Sequence, residues 1–483
     1  MRYPVLALAA TLAACTVGPD YHRPDAPPAA AFKELDGWKP ATPREAASGS
    51  PWWSIYDDPA LDGLERQVEI SNQSLKTSEA AYREAVAIVD EARAGYFPTV
   101  SATASAQRSS TAGGGFTGSG AGGRGGGGGI VQNQFALSPT ASWVPDIWGR
   151  IRRTVEADVA TAQASAADLA AARLADQATL ASDYFQLRIA DEQKRVLDAT
   201  VAADQQSLKI ARNQFEAGFA AETDVVTAET QVENAQAQEI ALGVQRAAFE
   251  HAIAVLIGKP PSDLAIAPLP EPLGTTVPVA PVGVPSALLE RRPDIAAAER
   301  TMQAANAQIG IAEVAYFPDL TLTATAGFAS SALGNLLSLS NSAWSIGAAA
   351  TETIFDGGLR GAQVRAAQAA YEGNVATYRQ TVLTAFQQVE DELAALRILE
   401  QQAAAQDVAL RSARRAEQLT LNQYQAGTLA YTSVVVAQTT ALADEQTALS
   451  ILQSRLVASS ALVQALGGGW DASQLPSLGT AEK

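Results

Sequence analysis

The spacing of apolar and polar positions changes period several times along this chain. From Ile151 to Ala217 there are 67 residues without Gly or Pro, with Ala dominating the inward positions at helical spacing. An unbroken helix of that length reaches roughly 100 Å. A second such stretch runs from about Leu359 to Ala426, with only Gly361 and Gly373 inside it. Each stretch stops at a glycine, Gly218 or Gly427, and a further helical pattern follows. That predicts two helical hairpins, with the glycine supplying a positive φ at the turn. A shorter helical pattern spans Leu61 to Gly95. Four other segments alternate strictly, which predicts strands. They are Thr99–Gln107, Phe135–Trp143, Leu320–Phe328 and Trp344–Thr351. Their polar faces carry Ser and Thr with almost no charge, which suits a wet lumen. Strands of about nine to eleven residues are long enough to cross a bilayer when tilted. A soluble, half-buried sheet is the alternative reading of the same alternation.

The two hairpins are copies of one unit. Leu187-Arg188-Ile189 recurs as Leu396-Arg397-Ile398, and Asn213-Gln214-Phe215-Glu216-Ala217-Gly218 as Asn422-Gln423-Tyr424-Gln425-Ala426-Gly427, both at an offset of 209. Ten of the eighteen residues from Asn213 to Thr230 match at that offset. Each strand pair also opens alike, with Tyr96-Phe97-Pro98 and Tyr316-Phe317-Pro318. Duplication on this scale implies two halves packed in similar environments.

Four strands cannot close a barrel, and an open edge in lipid leaves backbone groups unpaired at several kcal/mol each. A membrane reading therefore requires several copies. Two copies give eight strands and a filled interior, three give twelve and room for a pore. A transport role prefers three.

Composition narrows the functions. The net charge of −17 argues against nucleic acid, which needs concentrated Lys and Arg. Two histidines, His22 and His251, and a single cysteine, Cys15, make a His-based triad, a disulfide or a His-rich metal site improbable. There is no H-E-x-x-H and no Walker sequence. Gly118, Gly120 and Gly123 fit G-x-G-x-x-G formally, but no βαβ context surrounds them. A flexible loop from Gly113 to Gly129 between two strands explains them better. The chain therefore reads as a non-enzyme without metal or cofactor. Arg2 and the small apolar run to Ala14 form an export signal, too short to span a membrane. Leu12-Ala13-Ala14-Cys15 ends it like a lipoprotein box, and lipid on Cys15 would anchor the mature chain. Thr16, where Asp is absent, points to outer-membrane sorting. A Pro-rich stretch follows to about residue 60. Arg291 and Arg292 are read as structural partners of Asp294 and Glu299 at a helix start containing Pro293.

Several motifs together resemble outer-membrane efflux lipoproteins of the TolC-like superfamily. These are Cys15-Thr16-Val17-Gly18-Pro19-Asp20-Tyr21 with Arg23-Pro24; Trp52-Trp53 with Asp58-Pro59-Ala60-Leu61; and Asp146-Ile147-Trp148-Gly149-Arg150. Leu288-Leu289-Glu290-Arg291-Arg292-Pro293-Asp294-Ile295 and Ile354-Phe355-Asp356-Gly357-Gly358 complete the match. The resemblance implies a mainly α protein with a membrane β-barrel. Three protomers would share a twelve-stranded barrel, four strands each, above a long α-helical barrel. It implies passive export of drugs or small toxic compounds, with a periplasmic adaptor and an inner-membrane resistance-nodulation-division transporter as partners. A duct for type I protein secretion shares the fold and is the alternative. A purely structural envelope protein is a further one. By this resemblance the chain divides into a signal peptide (1–14), a lipidated tether (15–60), a helical segment (61–95), a first membrane hairpin (96–146) and a first helical hairpin (147–260). A connector (261–315), a second membrane hairpin (316–356), a second helical hairpin (357–466) and a tail (467–483) follow. Gly218, Gly427, Thr223 and Thr432 would mark the periplasmic tips that meet the adaptor. Many relatives carry an acid where this chain has Val436. Glu222, Asp224 and Glu229 in the first repeat are the gate candidates instead, with solvated helix-face charges as the plainer reading.

Overall fold

The computed structural model describes residues 16–26, 32–34, 51–111, 130–278 and 288–479. The signal segment, Cys15 and the Gly-rich loop lie outside them. Helices α1 (Pro59–Ser71) and α2 (Gln73–Ala94) precede strands β1 (Thr99–Thr111) and β2 (Ile130–Trp143). Then come α3 (Arg150–Glu216), α4 (Glu222–Leu256), a single turn at Leu288–Arg291, and α5 (Pro293–Val314). Strands β3 (Asp319–Ser330) and β4 (Ser342–Thr351) lead into α6 (Leu359–Gln425) and α7 (Tyr431–Ala465). The repeat is obeyed to the residue. Helices α3 and α6 are both 67 residues long and α4 and α7 both 35, at the offset of 209 read from the sequence.

The long helices begin at equivalent elbows. Gly149 (φ 84°) and Gly358 (φ 92°) precede α3 and α6 in the left-handed region, where a side chain is strained. Asp146 accepts the N–H groups of Ile151 and Arg152, and Asp356 those of Gly358 and Arg360. Each carboxylate satisfies donors that a helix start leaves open.

The shorter helices stack end to end into composite struts. A Cβ on Gly258, just past α4, would lie 2.2 Å from the carbonyl oxygen of Ser71, the last residue of α1, just before α2 begins. A Cβ on Gly467, just past α7, would lie 2.0 Å from that of Arg291, at the start of α5. Asn72 caps α2 through Ser74 and Leu75 and donates to Asp176 of α3. At the second joint Arg292 grips Asp294 and donates to the Ala465 carbonyl. That is the structural job of the Arg-Arg-Pro-Asp motif. Glu299, expected beside these arginines, instead faces Arg23 at 3.6 Å. It is more than one helical turn from Arg292, beyond the reach of a cap.

Four struts thus lie side by side. Above the joints the order is α2–α3–α5–α6, and below them α4–α3–α7–α6. The main core sits at the joints, around Tyr184, Leu187, Ile253, Ile295, Met302, Tyr378 and Val389. Segments cross its surface and are tied to repeat-equivalent arginines. Arg188 donates to the Ala267 carbonyl, while Arg397 pairs with Glu34. Residues 16–26 run over the upper helices. Arg153, only 4% exposed, donates to the carbonyls of Val17 and Gly18 and to Asp20. Gly18 passes so close to Gly310 that a Cβ would come within 2.4 Å of its Cα. The Pro-rich segment is therefore held in place where it is described.

The sheet is a meander, β1-β2-β3-β4, antiparallel throughout. Pro139 has no N–H, and the β2–β3 pairing skips Ser138 and Pro139. Gly327 lets β3 approach there, since its Cβ would meet the Leu137 carbonyl at 2.5 Å. Val100, Trp344 and Ile346 are each more than 70% exposed. Among the described residues, the outer edges of β1 and β4 carry no partner strand.

Candidate functional site at the hairpin tips

The ends of the two helical hairpins meet far from the sheet. Gly218 and Gly427 make the turns, with φ of 77° and 71° and open space where a Cβ would be. A small apolar cluster lies just inside them, formed by Ala211, Ala228, Tyr424, Tyr431 and Val434. The rings of Tyr424 and Tyr431 are 5.1 Å apart at 54°, a tilted geometry favoured by aromatic quadrupoles. Alanines at 211 and 228 let α3 and α4 close around this pair.

The two tips are not chemically equal. At the positions of buried Tyr424 and Tyr431 the first hairpin has Phe215, 44% exposed, and Glu222, exposed. Phe219, at the first apex, is 87% exposed, and Val226 is half exposed. The first tip therefore presents apolar surface, while the second buries its aromatics.

The acids separate into different roles. Glu229 bonds Arg212 across the first hairpin at 2.6 Å. Both are about half exposed, so the pair contributes little to stability. Glu222 and Asp224 occupy the first turn of α4, where the helix dipole favours negative charge. Asp224 is half-buried; burial, then its charge, raises the Tyr424 hydroxyl pKa, whereas for Tyr431 burial and the charge of Asp204 come first and Asp224 adds less. Thr223 and Thr432 are exposed on the first turns of α4 and α7. Val436 is 65% exposed on α7. Glu222 and Asp224 thus share the tip with both threonines, and Glu229 sits further up the hairpin.

Sequence reasoning missed the polar layer beneath. Asp204 of α3 is 5% exposed, and burial, then the charge of Glu417, pushes its carboxyl up to about 6. Glu417 of α6 is raised by burial and by Glu445. Gln438 of α7 donates to Ser207 of α3 at 3.3 Å. The signal was present as single polar residues inside Ala-rich faces, but each also fits a solvated position.

Long helical struts ending in an open-edged sheet with lipid-length strands define a membrane-inserted duct component. None of the described helices is long and apolar enough to cross a membrane. The family described as Outer membrane efflux protein matches residues 64–259 and 284–468, the two repeats in turn. The chain belongs to that family, and it is an outer-membrane efflux channel rather than an enzyme. It is 31% identical over 478 residues to the probable efflux pump outer membrane protein TtgC of Pseudomonas putida, covering 97% of this chain and 96% of that one. It is 30% identical over 427 residues to the pyoverdine export outer membrane protein OpmQ of Pseudomonas aeruginosa, covering 88% and 89%. The outer-membrane channel OprN superposes with a TM-score of 0.85 at 29% identity, covering 94% of this chain and all of that one. The open state of the Neisseria gonorrhoeae MtrE outer membrane channel gives 0.81 at 27%, covering 95% and 99%.

Proposed function

We propose that three copies close into one hollow particle that passively exports drugs or other small toxic compounds. The carrying observation is that the protomer ends in unfinished edges at every level. Its sheet stops at β1 and β4, and its helical layer stops at α2 and α4 on one side and α6 on the other. Those helices expose Ile88, Ile240, Val244, Leu383, Ile398 and Val408. Joining α6 to the next copy's α2 and α4 covers these side chains and pairs β4 with β1. Three copies of four strands give a twelve-stranded barrel.

Outer-membrane placement fits the next residues down. Phe97, Tyr316, Phe317 and Phe355 are exposed around the junction of strands and helices, as interfacial aromatics are. Thr16 reaches this same level, its hydroxyl 3.3 Å from Arg152. A lipid on the adjoining Cys15 would enter the membrane beside the barrel.

The tips then face a periplasmic adaptor attached to an inner-membrane resistance-nodulation-division transporter, which supplies the energy. Gly218, Thr223, Gly427 and Thr432 lie at that contact, and Phe219 adds its largest apolar group. Asp224 of each copy holds the resting constriction through the tyrosine pair. Replacing Asp224 with Ala is expected to raise single-channel conductance several-fold at pH 7. Unchanged conductance and unchanged drug resistance would reject this gate role.

A further inference from the structure

The polar layer under the tip contains groups that the packing leaves unpaired. The hydroxyls of Tyr424 and Tyr431 and the side-chain oxygen of Gln438 are buried without a hydrogen-bond partner. Tyr431 is fully buried and Tyr424 is 4% exposed. Buried polar atoms of this kind are uncommon and costly. Two carboxylates stand among them, Asp204 of α3 and Glu417 of α6. Neither accepts a hydrogen bond nor joins an ion pair among the described residues. The nearby cation Arg414 is engaged by Glu445 of α7. From α4, only the charge of Asp224 reaches the tyrosines.

We propose that this layer is a proton-responsive clasp in which Asp204, facing Glu417 of α6 and Tyr431 of α7, tightens the tip when protonated and loosens it when ionised. The inference rests on the reading of the tip as the periplasmic gate. Protonated Asp204 gains an O–H of its own, a donor that the ionised carboxylate does not have. Gln438 sits against Ser207, one turn along the same face of α3 from Asp204, so its unpaired oxygen is a natural acceptor. Ionised, Asp204 and Glu417 are like charges in a poorly solvated space, and they drive α3 and α6 apart. The sign follows from the raised carboxyl of Asp204. The closed packing holds the proton more tightly, so closure is favoured at low pH and lost as pH rises through about 6.

The test is planar-bilayer conductance of the purified full-length protein between roughly pH 5 and 8. The wild type is expected to conduct more as pH rises, with a midpoint near pH 6. Asp204→Asn should stay at the low, acid-like conductance throughout. Glu417→Gln should move the midpoint downward, because Asp204 loses its like-charged neighbour; a merely structural role would leave the midpoint in place. If Asp204→Asn does not assemble, the Glu417→Gln profile decides. Current that ignores pH in the wild type, or a Glu417→Gln midpoint equal to wild type, overturns the clasp and leaves the duct standing. Absence of current at every pH overturns both.

Discussion

Replacing Gly467 with Ala is expected to remove nearly all assembled protein, whereas Gly218→Ala should assemble. Both glycines have positive φ, 95° and 77°, so each substitution carries backbone strain of about 1–2 kcal/mol. They differ in what a methyl group would meet. At Gly218 there is open space, while at Gly467 the new carbon would sit 2.0 Å from the Arg291 carbonyl oxygen. That oxygen is backbone at the entry to α5, and Arg292 beside it is bonded to the end of α7. Relief therefore means separating the two halves of a strut. The expected cost is on the order of several kcal/mol, comparable to the most damaging single substitutions. Gly258→Ala should behave like Gly467→Ala, because the first joint repeats the geometry with Ser71. The measurement is the yield of oligomer extracted from membranes, with thermal denaturation of what survives. Equal yields for the Gly218 and Gly467 variants would show that the joints are not tightly closed.

Glu65→Gln is expected to flatten the pH dependence of thermal stability. Glu65 belongs to α1, in the apolar stripe Leu61, Leu64, Val68, and is fully buried with both carboxylate oxygens unpaired. Burial, then the neighbouring charge of Glu69, pushes its carboxyl up to about 9. The folded protein therefore holds this proton more tightly than the unfolded chain does. Its contribution to stability is complete below about pH 4.5 and is lost progressively as pH rises toward 9. A shift of this size corresponds to several kcal/mol across the window. Apparent Tm should fall between roughly pH 5 and pH 8.5 in the wild type, and fall less in Glu65→Gln. Parallel Tm curves would mean that Glu65 does not carry the dependence.

The architecture was legible because the chain states it twice. A helix free of Gly and Pro, ended by Gly218 and copied at Gly427, has few alternatives, and the strands announce themselves by alternation. The closed joints were not legible. Gly258 and Gly467 read as ordinary helix ends, since the carbonyls they admit come from Ser71 and Arg291, nearly two hundred residues earlier. The strapping of the N-terminal segment was hidden for the same reason. Proline content suggests an extended path, but only the fold brings Gly18 onto Gly310 and Arg23 onto Tyr378. At the tips, the glycines and threonines were readable from the turn. Asp204, Glu417 and Gln438 were not, because burial of a polar residue on a long helix depends on which neighbours cover it.

Images of the detergent-solubilised, lipidated particle should show a three-fold hollow assembly whose twelve strands, three copies of the four-stranded sheet, lead into a helical tube roughly 100 Å long. A homogeneous monomer, or a ring with any other number of copies, would contradict the three-copy duct.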